Sequence, residues 1–225
     1  MPPPAIGAPR LPAAYEDAGL DDLDDDRHLD EVVLSGGVGI DVAVRGLTLT
    51  RSRLSGVRLP GAGLAGLELA DVVIEECDLA GADLSGAVLR RVSLLRCRLS
   101  GLVATDLAGA DVRVVDCRAD EAWFRGARLE RAALEGCELS GSDWYDARLS
   151  SVRFVDCRLD GAELSGARLS EVALHGSRLA GVRGAGALRN LVIGSDQALD
   201  VALALFPSLG ISIDDGYLDP DEGDA

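Results

Sequence analysis

Between Val44 and Leu179 nearly every fifth residue is large and apolar in one frame, and that period excludes most of the ways a chain can fold. Of its 28 positions, 19 are Leu and six are Val44, Ile74, Val114, Phe124, Trp144 and Phe154; Ala104, Gly109 and Ala119 are the exceptions. Two residues before most frame positions stands a compact residue, as at Ala62, Val72, Cys77, Ala82, Ala87, Val92 and Cys97, and later Ala127, Ala132, Cys137, Ala147 and Val152. The positions between are charged, Ser or Gly. A step of five matches neither the helical period of about 3.6 nor the strand alternation of two, so the chain reads as a repeat array.

Residues 32–186 divide into 31 units of five, among them Cys77 to Gly81 (CDLAG), Ala82 to Gly86 (ADLSG) and Ala162 to Gly166 (AELSG). These units resemble those of the pentapeptide-repeat family, whose signature is A(D/N)LXX, over about two thirds of the chain. The resemblance implies an all-β fold, a right-handed quadrilateral β-helix in which each unit is one side of a square and four units make a 20-residue coil. The frame residue and the compact residue two before it then both point inwards. A large and a small side chain together fill a narrow bore without overpacking it. About 7 to 8 coils at a spacing of ~4.8 Å would give a rod roughly 37 Å long, with ends that need caps.

The five cysteines, Cys77, Cys97, Cys117, Cys137 and Cys157, are 20 residues apart and all occupy the compact position. Stacked coils would turn them into one internal structural ladder, continued by Val57 and Ser177. No CxxC and no accompanying His favours a metal, so packing by a small, buried hydrophobe is the expected role, in keeping with a reducing compartment. One coil breaks the pattern. Ala104 and Gly109 stand where large residues belong, while Leu102 and Leu107 stand at compact positions. Either the two roles are exchanged there, or the unit from Thr105 to Gly109 is shifted and bulges the wall.

The formal charge of −16 comes mainly from the two ends, each about −7, and the repeat region carries only −2. Residues 1–31, with five prolines and the acidic run Asp21 to Asp26, are expected to form a flexible arm whose last residues, Leu29 to Val33, fold over the open end of the core. Residues 187–213 are expected to form a C-terminal cap. Within it Ser195 to Phe206 reads as a short helix with Ser195 as N-cap and Pro207 beyond its end, and Leu209 to Ile213 as a short strand. Residues 214–225 are expected to be a disordered acidic tail. Leu199, Val201, Leu203, Leu205 and Phe206 make the helix apolar on more than one face. Two roles are open for them, capping alone or capping with dimerisation; the resemblance implies the second, a homodimer formed through the cap.

No apolar run approaches the roughly 18 residues of a membrane span, and the opening Met1-Pro-Pro-Pro lacks the regions of a secretory signal, so a cytoplasmic protein free of membranes is expected. Neither histidine, His28 nor His175, belongs to a catalytic or metal-binding constellation. No phosphate-binding loop, zinc motif or nucleophile elbow is present. The expectation is a protein without enzymatic activity, metal or cofactor.

Folding the sequence into 20-residue coils brings Trp123 beside Asp143 and Arg125 beside Tyr145 on an outer wall, with Asp106 and Asp146 along the same side. Such an aromatic and arginine cluster anchors protein interfaces, although a chance surface aromatic stacked by Arg gives the same pattern. The best-known activity implied by the resemblance is mimicry of duplex DNA by an acidic rod that binds DNA gyrase or topoisomerase IV, inhibiting the enzyme or protecting it from drugs. Duplex DNA carries about one charge per 1.7 Å, so a counterfeit of this length needs on the order of 20 negative charges. With −2 on the repeats, the expected role is a rigid surface for a protein partner, with the DNA mimic as the alternative. No basic aromatic groove suits nucleic acid directly.

Overall fold

The computed structural model describes residues 5–189 and 191–213. The stretch expected as a disordered tail, 214–225, lies outside the described residues.

The five-residue frame becomes a quadrilateral β-solenoid of stacked parallel strands. Register between neighbouring coils is 20 residues: Leu69 faces Leu89, Leu89 faces Gly109 and Gly109 faces Leu129. Frame and compact residues alike line one continuous apolar core from Leu29 to Leu188, with Val114, Phe124 and Leu169 partly buried against it. Two walls join through eight-residue strands that run around a corner, such as Glu68–Glu75, Val88–Leu95 and Ala108–Val115. The other two walls are held by single bridges, one through Asp78, Arg98 and Arg118, the other through Asp83, Val103, Trp123 and Asp143. The four are called here the Leu89 wall, the Leu94 wall, the cysteine wall and the tryptophan wall. Backbone groups of each coil bond to the next, as Leu79 N–H to the Arg98 carbonyl and Arg98 N–H to the Cys77 carbonyl, at 2.8 and 2.9 Å.

Ten strands stack on the Leu94 wall, from Glu16–Ala18 to Val192–Ile193, which makes about nine coils. The expected 7 to 8 is too few because the solenoid does not begin at residue 32. Glu16–Ala18 pairs with Val32 to Leu34, and His28–Asp30 pairs with Thr48 to Thr50, so the stretch read as an arm supplies the first coil. Leu29 to Val33 are accordingly wall residues and do not fold over the end. Leu20 and Leu23, around a single 3-10 turn at Leu20–Asp22, pack against the core there instead.

The coil after Leu99 exchanges its large and small positions and keeps its register. Leu102, Ala104 and Leu107 are all buried, and Gly109 stays paired with Leu89 and Leu129, so no bulge forms. A Cβ at Gly109 would lie 2.7 Å from Leu129 Cδ2 and 3.1 Å from Val112 Cγ2, because those side chains lean into the space the glycine leaves. In the coils that follow, the bore is filled by aromatics. Phe124 stacks on Trp144 at 4.2 Å between ring centroids and Phe154 meets Trp144 edge-on at 6.0 Å. The indole N–H of Trp144 donates to Ser142 Oγ at 2.8 Å, so the polar edge of a fully buried tryptophan is satisfied by the compact residue of its own unit.

At the other end the chain caps the rod differently from the expected pattern. Ser195–Gln197 is a 3-10 turn and the α-helix spans Ala198–Leu205; Ser195 makes no capping bond. The organising side chain is Gln197, which is buried. Its Oε1 accepts from Gly194 N–H at 2.9 Å and its Nε2 donates to the Ser177 carbonyl at 2.6 Å, tying the cap to the last cysteine-wall unit. The strand expected over 209–213 is absent. Phe206–Leu209 is another 3-10 turn, Gly210 turns the chain at φ 71°, and Ile211 N–H bonds back to the Phe206 carbonyl. The ladder edge is already taken by Val192–Ile193.

Candidate interaction surface

On the outer face of the tryptophan wall the bridge positions form a column, Val103, Trp123, Asp143, Glu163 and Arg183, one residue per coil. Arg125 and Tyr145 follow two residues after Trp123 and Asp143, in the neighbouring column. Trp123 is 49% exposed and Tyr145 48%. The Arg125 guanidinium lies over the Trp123 ring, 5.3 Å from its centroid, and reaches Asp143 through Nε at 2.7 Å and Nη2 at 2.6 Å. Asp143 Oδ1 also accepts the Tyr145 N–H at 2.9 Å. Four of the six expected patch residues therefore form one connected group. The hydrogen-bonded Asp143 carboxylate holds the Arg125 guanidinium further towards its charged form. A cation fixed between a carboxylate and an indole face is pre-organised, which lowers the ordering cost of docking onto it.

Asp106 and Asp146 stand apart from the group. Both occupy the adjoining corner with left-handed backbone (φ 57° and 54°), Gly126 lies between them in the stack, and their side chains make no ion pair among the described residues. Next along the wall, Glu163 accepts from Ser165 and pairs with Arg183 at 3.0 Å, and these partners hold its carboxyl below the usual range.

The cap residues divide by face. Val201 and Leu205 pack against the core, Phe206 is half-buried, and Leu199 and Leu203 point outwards, with Leu209, Ile211 and Ile213 exposed beyond them. The five cysteines are buried, unpaired by disulfides and stacked in the cysteine wall between Val57 and Ser177. Their thiols lie within reach of wall carbonyls, as Cys97 Sγ to Leu95 O at 3.3 Å and Cys157 Sγ to Val155 O at 3.4 Å. The neighbouring Cys97 thiol and then burial push the Cys77 and Cys117 thiols up.

His28 lies in a strand and its Nε2 bonds Thr50 Oγ1 at 2.9 Å; His175 is exposed. Among the described residues no group of three His, Cys, Asp or Glu side chains is placed to hold a metal ion. No helix there is long and apolar enough to cross a membrane. Sequence reasoning missed the contacts of residues 7 and 10 with the rod. Their only signal was the alternation of Asp71, Arg91, Asp111 and Arg131 at 20-residue intervals.

The family model for pentapeptide repeats matches residues 68–101 and 147–183, with eight copies. No curated protein matches the sequence. Among solved structures, the chain is similar to trypsin-treated QnrB1, a plasmid-mediated fluoroquinolone resistance protein, at 18% identity and a TM-score of 0.44, covering 90% of this chain and 99% of that one. It is also similar to HetL, a pentapeptide repeat protein involved in heterocyst differentiation regulation from the cyanobacterium Nostoc sp. strain PCC 7120. That likeness has 18% identity and a TM-score of 0.30, covering 75% of this chain and 87% of HetL.

Proposed function

The chain is a pentapeptide-repeat protein, and from that premise we propose that it acts without catalysis, as a rigid rod that presents its tryptophan wall to a protein partner. The observation that carries this reading is the Trp123–Arg125–Asp143–Tyr145 group. Two half-exposed aromatics and a pinned guanidinium stand on a wall whose backbone is bonded coil to coil. Aromatic and arginine anchors of this kind dominate binding energy at interfaces. The outward Leu199 and Leu203 add a second contact, between two copies of the chain at the cap. A cytoplasmic location belongs to the same reading.

Mimicry of DNA towards gyrase or topoisomerase IV is the second reading, favoured by Asp106, Asp146, Asp116 and Asp156. These exposed acids make no ion pair among the described residues and lie on opposite corners of the rod. Their spacing is two coils, about 9.6 Å, against about 1.7 Å per charge in a duplex, which is why the first reading is preferred.

One experiment separates the two. Full-length protein and the Trp123→Ala/Tyr145→Ala variant are immobilised side by side, exposed to native lysate and to purified gyrase, and assayed for supercoiling. A protein held by the wild type and lost by the variant is the expected result. Equal capture by both, for every bound protein, would refute the tryptophan wall as the docking face. Inhibition of gyrase that survives the double substitution would support the acidic corners instead.

A further inference from the structure

The corner that follows the Leu89 wall carries a column of its own: Glu31, Arg51, Asp71, Arg91, Asp111, Arg131, Ser151 and Glu171, all with left-handed φ between 48° and 60°. Acid and arginine alternate as far as Arg131, and forked pairs join successive coils. Arg91 Nε and Nη2 reach the two Asp71 oxygens at 2.6 Å each, and Arg131 reaches those of Asp111 at 3.0 Å each. Asp71 is 8% exposed, an almost buried carboxylate on the outside of the rod. Both carboxylates also accept a backbone N–H from a segment far away in sequence. Arg10 N–H donates to Asp71 Oδ1 at 2.9 Å and Gly7 N–H to Asp111 Oδ1 at 3.0 Å. The paired arginines, and to a lesser degree these backbone bonds, hold the two carboxyls below their usual range.

The spacing is diagnostic. Asp71 and Asp111 are two coils apart, about 9.6 Å along the rod, and three residues of extended chain span about 9 to 10 Å. Only an extended peptide matches that interval, with its direction opposed to the climb of the coils. Pro9, between the two donors, has no N–H to leave unpaired and holds its own φ in the extended range. Ile6, Pro9 and Leu11 are half-buried while Ala8 and Arg10 are exposed, so one edge of the segment faces the rod.

We propose that the Asp71–Arg91–Asp111–Arg131 corner is a recognition track for an extended, proline-containing peptide that offers N–H donors three residues apart, loaded in cis by residues 6–11. The arginines pre-organise the carboxylates, and the peptide is read by its backbone spacing and extended form. The tryptophan wall lies elsewhere on the rod, so the track is independent of the function proposed above.

Two measurements test it on the full chain. In the wild type, the amides of Gly7 and Arg10 are expected to exchange with solvent at least tenfold more slowly than the same amides in a free peptide; free-peptide rates would overturn the proposal. A Gly7→Pro/Arg10→Pro variant removes both donors at positions outside the stacked strands, and its far-UV circular dichroism and melt are expected to match the wild type. A fluorescent, acetylated peptide of residues 5–12 is expected to bind this variant saturably, to bind the wild type at least tenfold more weakly, and to lose binding when Asp71→Asn and Asp111→Asn are added. Asn accepts left-handed backbone as readily as Asp, yet it sets an N–H2 donor against the arginine Nη2 where Oδ2 accepted, so the fork that orients the peptide-facing oxygen is broken and the negative charge is lost. No saturable binding up to about 1 mM, the effective concentration a short tether supplies, would overturn the proposal. Equal binding of a control peptide carrying Pro at both donor positions would do the same.

Discussion

The chain has two tryptophans, and the five-residue frame assigns them opposite fates. Trp144 occupies an inward frame position and is 1% exposed; Trp123 occupies an outward position and is half exposed. Replacing Trp144 by Ala removes the largest fully buried side chain, its stack on Phe124 and the donor to Ser142. Core aromatic truncations cost about 3 to 5 kcal/mol, and the lost hydrogen bond falls within that range. For a chain of this length each kcal/mol moves the thermal midpoint by roughly 2 to 4 °C, so a fall on the order of 10 °C is expected. Trp123→Ala removes a surface ring and should stay within about 0.5 kcal/mol. Thermal and urea melts followed by far-UV circular dichroism give both values. A cycle of Ser142→Ala, Trp144→Phe and the pair adds a finer test. Ser142→Ala alone strands a buried indole N–H at a cost of about 1 to 3 kcal/mol, whereas the pair strands nothing and should cost less than the sum of its members. Equal destabilisation by Trp123→Ala and Trp144→Ala, or an additive cycle, would place the frame one residue out and refute the fold as described.

Two further outcomes follow from the ends and corners of the rod. Leu199→Glu/Leu203→Glu, on the outward face of the cap helix, should convert a dimer to a monomer in light scattering without changing the melt; a wild-type monomer at high protein concentration removes the proposed contact. Acid should loosen the rod. Arg51 and then Thr50 hold the Asp30 carboxyl at about 2, and arginines hold Asp71, Asp111 and Glu135 below their usual range. Each folded-state value lies below the unfolded one, so this stabilisation is complete above the ordinary carboxylate range and is lost as pH falls through the folded values. The thermal midpoint should hold from pH 7 to about 5 and drop between about 4 and 2; a flat profile across that window would contradict the ion-pair columns.

The core was legible because volume and polarity decide which residues suit the bore, and those are properties of side chains. Leu at the frame and Ala, Val or Cys two residues before announce the coil length directly. The exchanged coil was visible as Leu102 and Leu107 against Ala104 and Gly109, but only the pairing of Gly109 with Leu89 and Leu129 decides between exchange and bulge. The first coil was misread because Glu16–Ala18 joins the ladder through backbone groups that every residue carries, outside the five-residue pattern. The same reason hid the docking of Gly7 and Arg10. At the cap, Gln197 was passed over for Ser195 because the rule for helix starts concerns local donors, whereas Gln197 bonds a carbonyl 20 residues earlier.

On the surface, the solenoid turns a 20-residue spacing into direct contact, and this constrains charge more tightly than any local rule. Side chains in one column lie about 4.8 Å apart, where like charges repel. In several columns this chain sets opposite charges in successive coils, as Asp71 with Arg91, Asp111 with Arg131, Asp78 with Arg98 and Glu163 with Arg183, whereas Arg128, Arg148 and Arg168 stack together and Asp143 adjoins Glu163. Asp106 and Asp146, which have no arginine partner among the described residues, alternate instead with Gly126 and Gly166. A continuous acidic stripe would have to stack carboxylates without either device. The near neutrality of the repeats leaves the field along the rod weak. The recognition proposed for this rod therefore rests on shape and fixed side chains, the pinned Arg125 over Trp123 and the carboxylates facing Gly7 and Arg10.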